Sequence, residues 1–217
     1  DSGAQGLITL GSTGEFLSQT DEERTRVAEI VIGETAGRIP VLVGTAAEWT
    51  DESIRYSKDA ESLGADGVMI VPPYYASPSE DELFEHYRRI AEAIAIPIMV
   101  YNNPFTSNVD LKPHLVARLS EIDHVSYIKE SSGDVGRVSE IRNLCGDRMT
   151  VFAGYFPLES FAAGAQGYVS VFSNIAPKMS ADLFTLTVDD SNLKDARALY
   201  FKLLPLFQAL SGDLYVS

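Results

Sequence analysis

Short apolar runs rich in β-branched residues alternate with amphipathic stretches along nearly the whole chain, at a spacing of roughly 25 to 30 residues. This alternation is typical of repeated βα units around a parallel sheet. The predicted strands are residues 6–10, 41–44, 67–71, 98–101, 125–129, 150–153 and 167–171. The predicted helices are residues 20–36, 50–63, 79–95, 112–122, 135–144, 157–163, 178–188 and 192–210.

Three of the predicted helices begin with a residue that favours the N-cap position: Thr20, Thr50 and Ser79. Glu23 and Glu82 follow Thr20 and Ser79 by three residues, so these two helices are predicted to begin with a capping box.

Seven parallel strands are one fewer than a closed (β/α)8 barrel requires. We therefore expect a TIM barrel that lacks its first β-strand/helix unit in this chain, in preference to an open relative of the barrel. The barrel domain is predicted over residues 1–190, partial at its N-terminus, and residues 191–217 are predicted to start a C-terminal helical extension.

Composition narrows the classes of partner. A chain of 217 residues with 45% hydrophobic content can bury a sizeable single core. The net charge of −14, without a basic block, argues against a nucleic-acid partner or an anionic membrane surface. No apolar run is long enough to span a membrane. The single cysteine, Cys145, cannot form an internal disulfide and is predicted to be a buried thiol, which fits a reducing cytoplasm.

Lys129 is the only lysine inside an apolar strand-like run, Val-Ser-Tyr-Ile-Lys at residues 125–129. Partial desolvation at the end of a buried strand favours the free amine, which attacks carbonyl carbons to form Schiff bases. The alternative is a lysine that extends to water or pairs with Glu130. The remaining lysines lie in polar helical or loop contexts: Lys58, Lys112, Lys178, Lys194 and Lys202.

The ends of the other strands supply further polar groups, and in a parallel barrel these ends carry the chemistry. The first strand runs into Gly-Ser-Thr-Gly-Glu at residues 11–15, whose amides and hydroxyls suit a carboxylate, although a tight turn of small residues is an alternative. The fourth strand ends at Tyr101, a natural acid/base partner for Lys129 on the neighbouring strand. The alternative for Tyr101 is an amphipathic side chain packed at the barrel rim.

Taken in order, Gly-Ser-Thr-Gly-Glu at 11–15, Pro-Pro-Tyr-Tyr at 72–75, Tyr-Asn-Asn-Pro at 101–104 and Ile-Lys-Glu-Ser-Ser-Gly-Asp at 128–134 resemble the dihydrodipicolinate synthase and N-acetylneuraminate lyase family. The resemblance implies a Schiff base between a lysine and the keto carbon of pyruvate or a 2-keto acid, with no cofactor and no metal. The catalytic residues that it implies are Lys129, Tyr101, Tyr75, which reaches across a dimer interface, and Ser12. The substrate-binding residues that it implies are Gly11, Ser12, Thr13, Gly154 and Val171.

One position departs from the synthase pattern. The synthase proper has an arginine shortly after the Tyr-Asn-x-Pro segment, whereas this chain has Thr106. The departure favours a branch acting on 2-keto-3-deoxy sugar acids over the synthase proper. The predicted protein is thus a lyase with a small-molecule keto acid as substrate, assembled as a homo-oligomer, either a dimer or a tetramer.

Two further alternatives remain open. The first is a family member that binds a keto acid without turnover. The second is a metal-dependent aldolase, which needs clustered ligands at strand ends, whereas His86, His114 and His124 fall on predicted helices or just before a strand.

Overall fold

The computed structural model describes residues 3–210; residues 211–217 of the predicted C-terminal extension lie outside the described residues. Within that range seven strands form one parallel sheet whose spatial order, β1 to β7, follows the chain. The strands are β1 Leu7–Thr9, β2 Val41–Gly44, β3 Gly67–Ile70, β4 Ile98–Asn102, β5 Val125–Glu130, β6 Thr150–Ala153 and β7 Gly167–Tyr168.

A helix follows each of these strands. The helices are α1 Asp21–Thr35, α2 Thr50–Ser62, α3 Glu80–Ala91, α4 Pro104–Ser107, α5 Pro113–Leu119, α6 Gly136–Cys145, α7 Pro157–Ala162, α8 Pro177–Phe184 and α9 Leu193–Ala209. The predicted helix at 178–188 is divided, because α8 passes into a π-helical turn at Thr185–Asp189. The predicted strand at 167–171 is wrong beyond its second residue, because pairing with β6 ends at Tyr168.

The sheet is curled. Gly3, in the segment before β1, lies so close to α8 that an added Cβ would be 3.0 Å from the Cβ of Ala181. The first and last βα units of residues 3–210 therefore approach one another, as they do in a barrel. The predicted α/β class with a parallel sheet is confirmed, whereas the missing first unit and the closed eight-stranded barrel stay predictions.

The core fills both faces of the central strands. Val68 and Ile98 are completely buried on one face, and Met69 and Met99 are 4% and 3% exposed on the other, as expected for parallel strands covered on both sides. A second, smaller cluster joins α7, α8 and α9 through Leu158, Leu183, Ala196 and Tyr200. Helix α9, which begins the predicted C-terminal extension, is thereby packed against α7 and α8.

The predicted helix starts are mostly correct. Thr20 and Ser79 each accept a hydrogen bond from the third residue of their helix and complete a capping box. The prediction for Thr50 is wrong, because Trp49 occupies the N-cap position and Thr50 is already helical. The Thr50 hydroxyl instead forms a hydrogen bond with Nδ1 of His86 at 2.9 Å. The side chain predicted to cap α2 therefore links α2 to α3.

Candidate active site

Lys129 and Tyr101 lie side by side at the carboxyl ends of β5 and β4, where the two residues are register partners. The Lys129 Nζ lies 3.9 Å from the centroid of the Tyr101 ring, so the amine rests on the face of the phenol. Tyr101 is 6% exposed, and Lys129 is half-buried. A contact of this kind between a lysine and an aromatic face is worth about 1 to 2 kcal/mol, which orients the lysine side chain.

No carboxylate pairs with Lys129 within residues 3–210. Glu130, the partner that the sequence offered, is 5% exposed and accepts hydrogen bonds from Asn102 Nδ2 at 3.0 Å and from Ser132 N at 2.6 Å. Successive residues of a strand face opposite sides of the sheet, so Glu130 is directed away from Lys129. The amine is therefore held beside a hydroxyl-bearing ring, without a counter-ion.

Glu130 belongs to a polar network behind the strand ends. Burial raises the pKa of the Glu130 carboxyl, which its hydrogen bonds to Ser132 and Asn102 only partly oppose. Asn102 also accepts a bond from the Leu111 amide at 3.0 Å, which ties β4 to the segment before α5. Beside it, the Arg137 guanidinium holds the pKa of the Asp110 carboxyl well below its usual range. The network fixes the ends of β4 and β5 from the face opposite the reactive pair.

Asn103 contacts the Tyr101 hydroxyl, and sequence reasoning gave it no role. Its Nδ2 donates to the Tyr101 Oη at 2.9 Å, and the Asn103 side chain is almost completely buried. Because the phenol oxygen accepts this bond, its own proton remains available to another acceptor. The Asn103 Oδ1 is buried and has no hydrogen-bond partner among the described residues. The only sequence signal was its place directly after the strand that carries Tyr101.

The conformation of the loop after β1 depends on a close contact between the backbones of Leu10 and Gly44. Leu10 has a left-handed backbone with φ 57°, which turns the chain sharply at the end of β1. The turn requires glycine at position 44 of β2, because an added Cβ there would lie 1.9 Å from the Leu10 carbonyl oxygen.

The predicted carboxylate-binding loop follows this turn. Two of its amides are used internally, since Gly14 N donates to Gly11 O and Glu15 N donates to Ser12 O, both at 3.0 Å. The hydroxyls of Ser12 and Thr13 are half-buried and form no hydrogen bond to other described residues. The two hydroxyls and the amides of Ser12 and Thr13, which these internal bonds do not use, are therefore available to an anion at this loop.

Gly154 lies against the strand that carries Lys129. Its amide donates to the Glu130 carbonyl at 2.8 Å, and an added Cβ would lie 1.8 Å from the Ser131 Oγ. Ser131 is buried, and its hydroxyl has no hydrogen-bond partner among the described residues. Val171 was expected at the end of a strand, but it precedes the 3-10 helix Phe172–Asn174 because β7 ends earlier. Val171 thus lies three residues beyond the end of β7, outside the sheet.

Tyr75 lies on the connection from β3 to α3, and its side chain is 91% exposed. It makes no contact with Lys129 or Tyr101 within the described chain. Other large apolar side chains in the segments that follow β1, β2 and β4 are also exposed. We call these exposed side chains, together with Tyr75, the aromatic rim: Leu17 at 65%, Trp49 at 74% and Phe105 at 71%.

Residues 3–210 contain neither a metal-binding cluster of side chains nor a membrane-spanning helix. This range contains no group of three or more His, Cys, Asp or Glu side chains arranged to hold a metal ion. His86 and His114 lie on α3 and α5, and His124 precedes β5. Over the same residues, no helix combines the length and apolar character needed to cross a membrane.

Known proteins resemble this chain over nearly its whole length. The model of the Dihydrodipicolinate synthetase family matches residues 1–216. A 4-hydroxy-tetrahydrodipicolinate synthase of Thermodesulfovibrio yellowstonii is 41% identical over 210 residues, which cover 96% of this chain and 72% of the relative.

Solved structures share the fold. The chloride-inhibited dihydrodipicolinate synthase of Acinetobacter baumannii, complexed with pyruvate, has a TM-score of 0.95 at 34% identity, covering 99% of this chain and 75% of that protein. A monomeric dihydrodipicolinate synthase variant has a TM-score of 0.92 at 33% identity, covering 96% of this chain and 71% of that protein. The predicted resemblance and the predicted enzyme class, a Schiff-base lyase, are confirmed by these matches. The chain belongs to the dihydrodipicolinate synthetase family.

Proposed function

We propose that this lyase acts on pyruvate or a 2-keto(-3-deoxy) acid through an imine on Lys129, by aldol cleavage or condensation or by dehydration. The observation that carries the proposal is the Lys129 amine, lying 3.9 Å from the Tyr101 ring centroid with no carboxylate partner in the described chain. An amine without a counter-ion is available to attack a carbonyl carbon. The pyruvate complex of the similar Acinetobacter baumannii enzyme supports a keto acid as ligand.

The proposed chemistry begins when the Lys129 amine adds to the keto carbon. The resulting carbinolamine loses its hydroxyl group as water and leaves a protonated imine. The imine then accepts the electron pair of the breaking carbon–carbon bond, or an enamine returns that pair to a new electrophile. Tyr101 supplies the proton for the departing water and transfers protons at the substrate oxygen.

Asn103 prepares Tyr101 for this role. Its amide donates to the phenol oxygen, so the phenol proton is free for substrate. Ser12 and Thr13 bind the carboxylate of the keto acid with their hydroxyls, and Gly11, Gly154 and Val171 line the pocket.

The second part of the substrate is proposed to carry hydroxyl groups. Two buried polar atoms without partners among the described residues, Asn103 Oδ1 and Ser131 Oγ, belong to residues that follow Tyr101 and Lys129 by two positions. A buried polar atom without a partner costs about 1 to 3 kcal/mol, which a ligand donor would recover. Thr106 bonds to the Asn103 carbonyl at 3.4 Å and offers no positive charge for a second carboxylate.

The second candidate function is the synthase reaction itself. It is favoured by the name of the 41% identical relative, 4-hydroxy-tetrahydrodipicolinate synthase. One assay distinguishes the two functions. It compares the turnover of pyruvate plus a carboxylate-bearing aldehyde with the turnover of a panel of 2-keto-3-deoxy acids. Pyruvate release or dehydration of the deoxy acids supports the first function, and condensation with the carboxylate-bearing aldehyde supports the second.

The active form is proposed to be a homo-oligomer, a dimer or a tetramer, in which Tyr75 completes the site of a partner subunit. The aromatic rim supports this proposal, because large apolar side chains with 65% to 91% exposure mark surfaces that are covered in an assembly. A cytoplasmic location and the lack of a nucleic-acid partner stay predictions.

The test of the imine is borohydride reduction in the presence of pyruvate, followed by peptide mapping. We expect the label on Lys129 and its loss in Lys129→Ala. Lys112, which forms an ion pair with Asp110, provides a matched control, since Lys112→Ala should leave labelling unchanged. A label on any other lysine contradicts the assignment, and saturable pyruvate binding without a label identifies a silent keto-acid binder.

A further inference from the structure

The Glu48 carboxylate, between β2 and α2, binds three successive backbone amides of the connection between β3 and α3. Its Oε2 accepts from Tyr74 N at 2.9 Å and from Tyr75 N at 3.0 Å. Its Oε1 accepts from Ala76 N at 2.9 Å. One side chain thus satisfies every amide of a three-residue segment whose centre is Tyr75.

An ionised carboxylate suits this position because it only accepts hydrogen bonds, and three converging N–H groups form a binding site for an anion. Partial burial of Glu48 opposes ionisation, but the three amide bonds outweigh it and hold the pKa of the carboxyl below its usual value. The titratable groups that interact electrostatically with Glu48 are His86 on α3 and the Tyr74 phenol. The Glu48 carboxylate therefore occupies this anion site and fixes the connection between β3 and α3.

Tyr75 depends on this anchor more than its neighbours do. The Tyr74 side chain is half-buried, and its ring packs edge-on against Phe16 with centroids 6.3 Å apart. Ser79 is fixed as the N-cap of α3. The Tyr75 side chain is 91% exposed, so only its backbone can determine where the ring is presented.

We propose that Glu48 is a positioning residue that holds the backbone of Tyr75 so that its hydroxyl is presented to the partner subunit's site. The inference rests on the role of Tyr75 in the proposed function. Misplacing a catalytic group by about 1 Å costs up to about 100-fold in rate, so loss of the anchor should be visible in kcat.

Glu48→Gln is the informative substitution. It keeps the size of the side chain but replaces one acceptor oxygen with an NH2 donor, which would face a backbone donor. Glu52→Gln is the matched control. Glu52 lies in the first turn of α2 and accepts hydrogen bonds from Arg55 and Tyr56, and none from the connection between β3 and α3.

The first measurement is amide hydrogen exchange at residues 74–76. We expect exchange at least about tenfold faster in Glu48→Gln than in the wild type, with Glu52→Gln unchanged. Unchanged exchange in Glu48→Gln would overturn the inference.

The second measurement is a double-mutant cycle on kcat, at protein concentrations where sedimentation shows the same assembly for all variants. Glu48→Gln should lower kcat by about 10- to 100-fold in the wild type and by less than about twofold in Tyr75→Phe, because Glu48 acts through the Tyr75 hydroxyl. Equal losses in both backgrounds would indicate a merely structural residue.

The two proposals fail in different ways. If Tyr75→Phe lowers kcat and Glu48→Gln does not, only the role of Glu48 is wrong. If Tyr75→Phe keeps the wild-type kcat, the role of Tyr75 in the proposed function is wrong, and the positioning role falls with it.

Discussion

Substituting Tyr101 by phenylalanine separates its ring from its hydroxyl. The ring face that supports Lys129, 3.9 Å from the Nζ, is retained in Tyr101→Phe, so the lysine keeps its contact. The hydroxyl that accepts a bond from Asn103 Nδ2 at 2.9 Å is lost. The substitution therefore tests the acid/base group without removing the cation–π contact.

Two magnitudes follow for Tyr101→Phe. Loss of a positioned proton donor lowers kcat by about 10²- to 10⁴-fold, which is about 3 to 5 kcal/mol of barrier. The Asn103 side chain, already without a partner for its Oδ1, also loses the acceptor of its Nδ2. An orphaned buried amide costs about 1 to 3 kcal/mol of unfolding free energy. Both kcat and stability should therefore fall in Tyr101→Phe. The increase in the activation free energy should exceed the loss of unfolding free energy.

The assay combines single-turnover cleavage of a 2-keto acid with urea unfolding of the same variants. Tyr127→Phe is the control, since Tyr127 lies on β5, packs against Phe152 and forms no hydrogen bond to other described residues. Tyr127→Phe should change neither quantity. A Tyr101→Phe enzyme with lower stability but wild-type single-turnover rates would refute the proton-transfer role and leave Tyr101 as packing.

Three further outcomes are expected. Sedimentation combined with activity over a concentration series should show that only an oligomer is active and that Tyr75→Phe lowers kcat within it; a fully active monomer would contradict this. Burial lowers the pKa of His86 to about 4, so neutral His86 contributes stability that is complete above its unfolded pKa of 6.5 and is lost as pH falls toward 4. The wild type should therefore lose about 2 kcal/mol more unfolding free energy than His86→Asn between about pH 7.5 and pH 5, and equal losses in the two proteins would refute the role of His86. Gly154→Ala places a Cβ 1.8 Å from Ser131 Oγ, so urea unfolding should show a loss of about 1 to 3 kcal/mol that Ser131→Gly partly recovers, and full stability would refute the close approach.

Periodicity and strand order were enough to predict most of the fold and the central pair of the site. Adjacent parallel strands end at the same edge of a sheet, so residues at the ends of the fourth and fifth strands had to be neighbours. Tyr101 and Lys129 are indeed register partners. The two errors arose where a contact distant in sequence decides the outcome. His86 takes the hydroxyl of Thr50, and the end of β6 stops the pairing that would have extended β7 to Val171.

Asn103 and Glu48 could not be found from the sequence for a related reason. Asn103 differs from an ordinary turn asparagine only through its contact with Tyr101. Glu48 follows a buried strand as many solvated carboxylates do, and its partners are 26 to 28 residues away. Residue type and spacing predict helices and strands. The roles of Asn103 and Glu48 depend instead on contacts made by irregular segments between these elements.

The pairing of β4 with β5 explains how the reactive pair is aligned. Ile98 pairs with Val125, but Met99 pairs with Tyr127, so Ser126 is an extra residue on β5. Without this bulge the register would place Ile128 beside Tyr101. A bulge shifts the partners and the faces that follow it by one residue. The shift puts Lys129 on the ring of Tyr101 and sends Glu130 to the opposite face, where it bonds to Asn102. The irregularity thus aligns the amine with its proton donor, and the alternation of side chains along β5 directs the adjacent carboxylate to the other face.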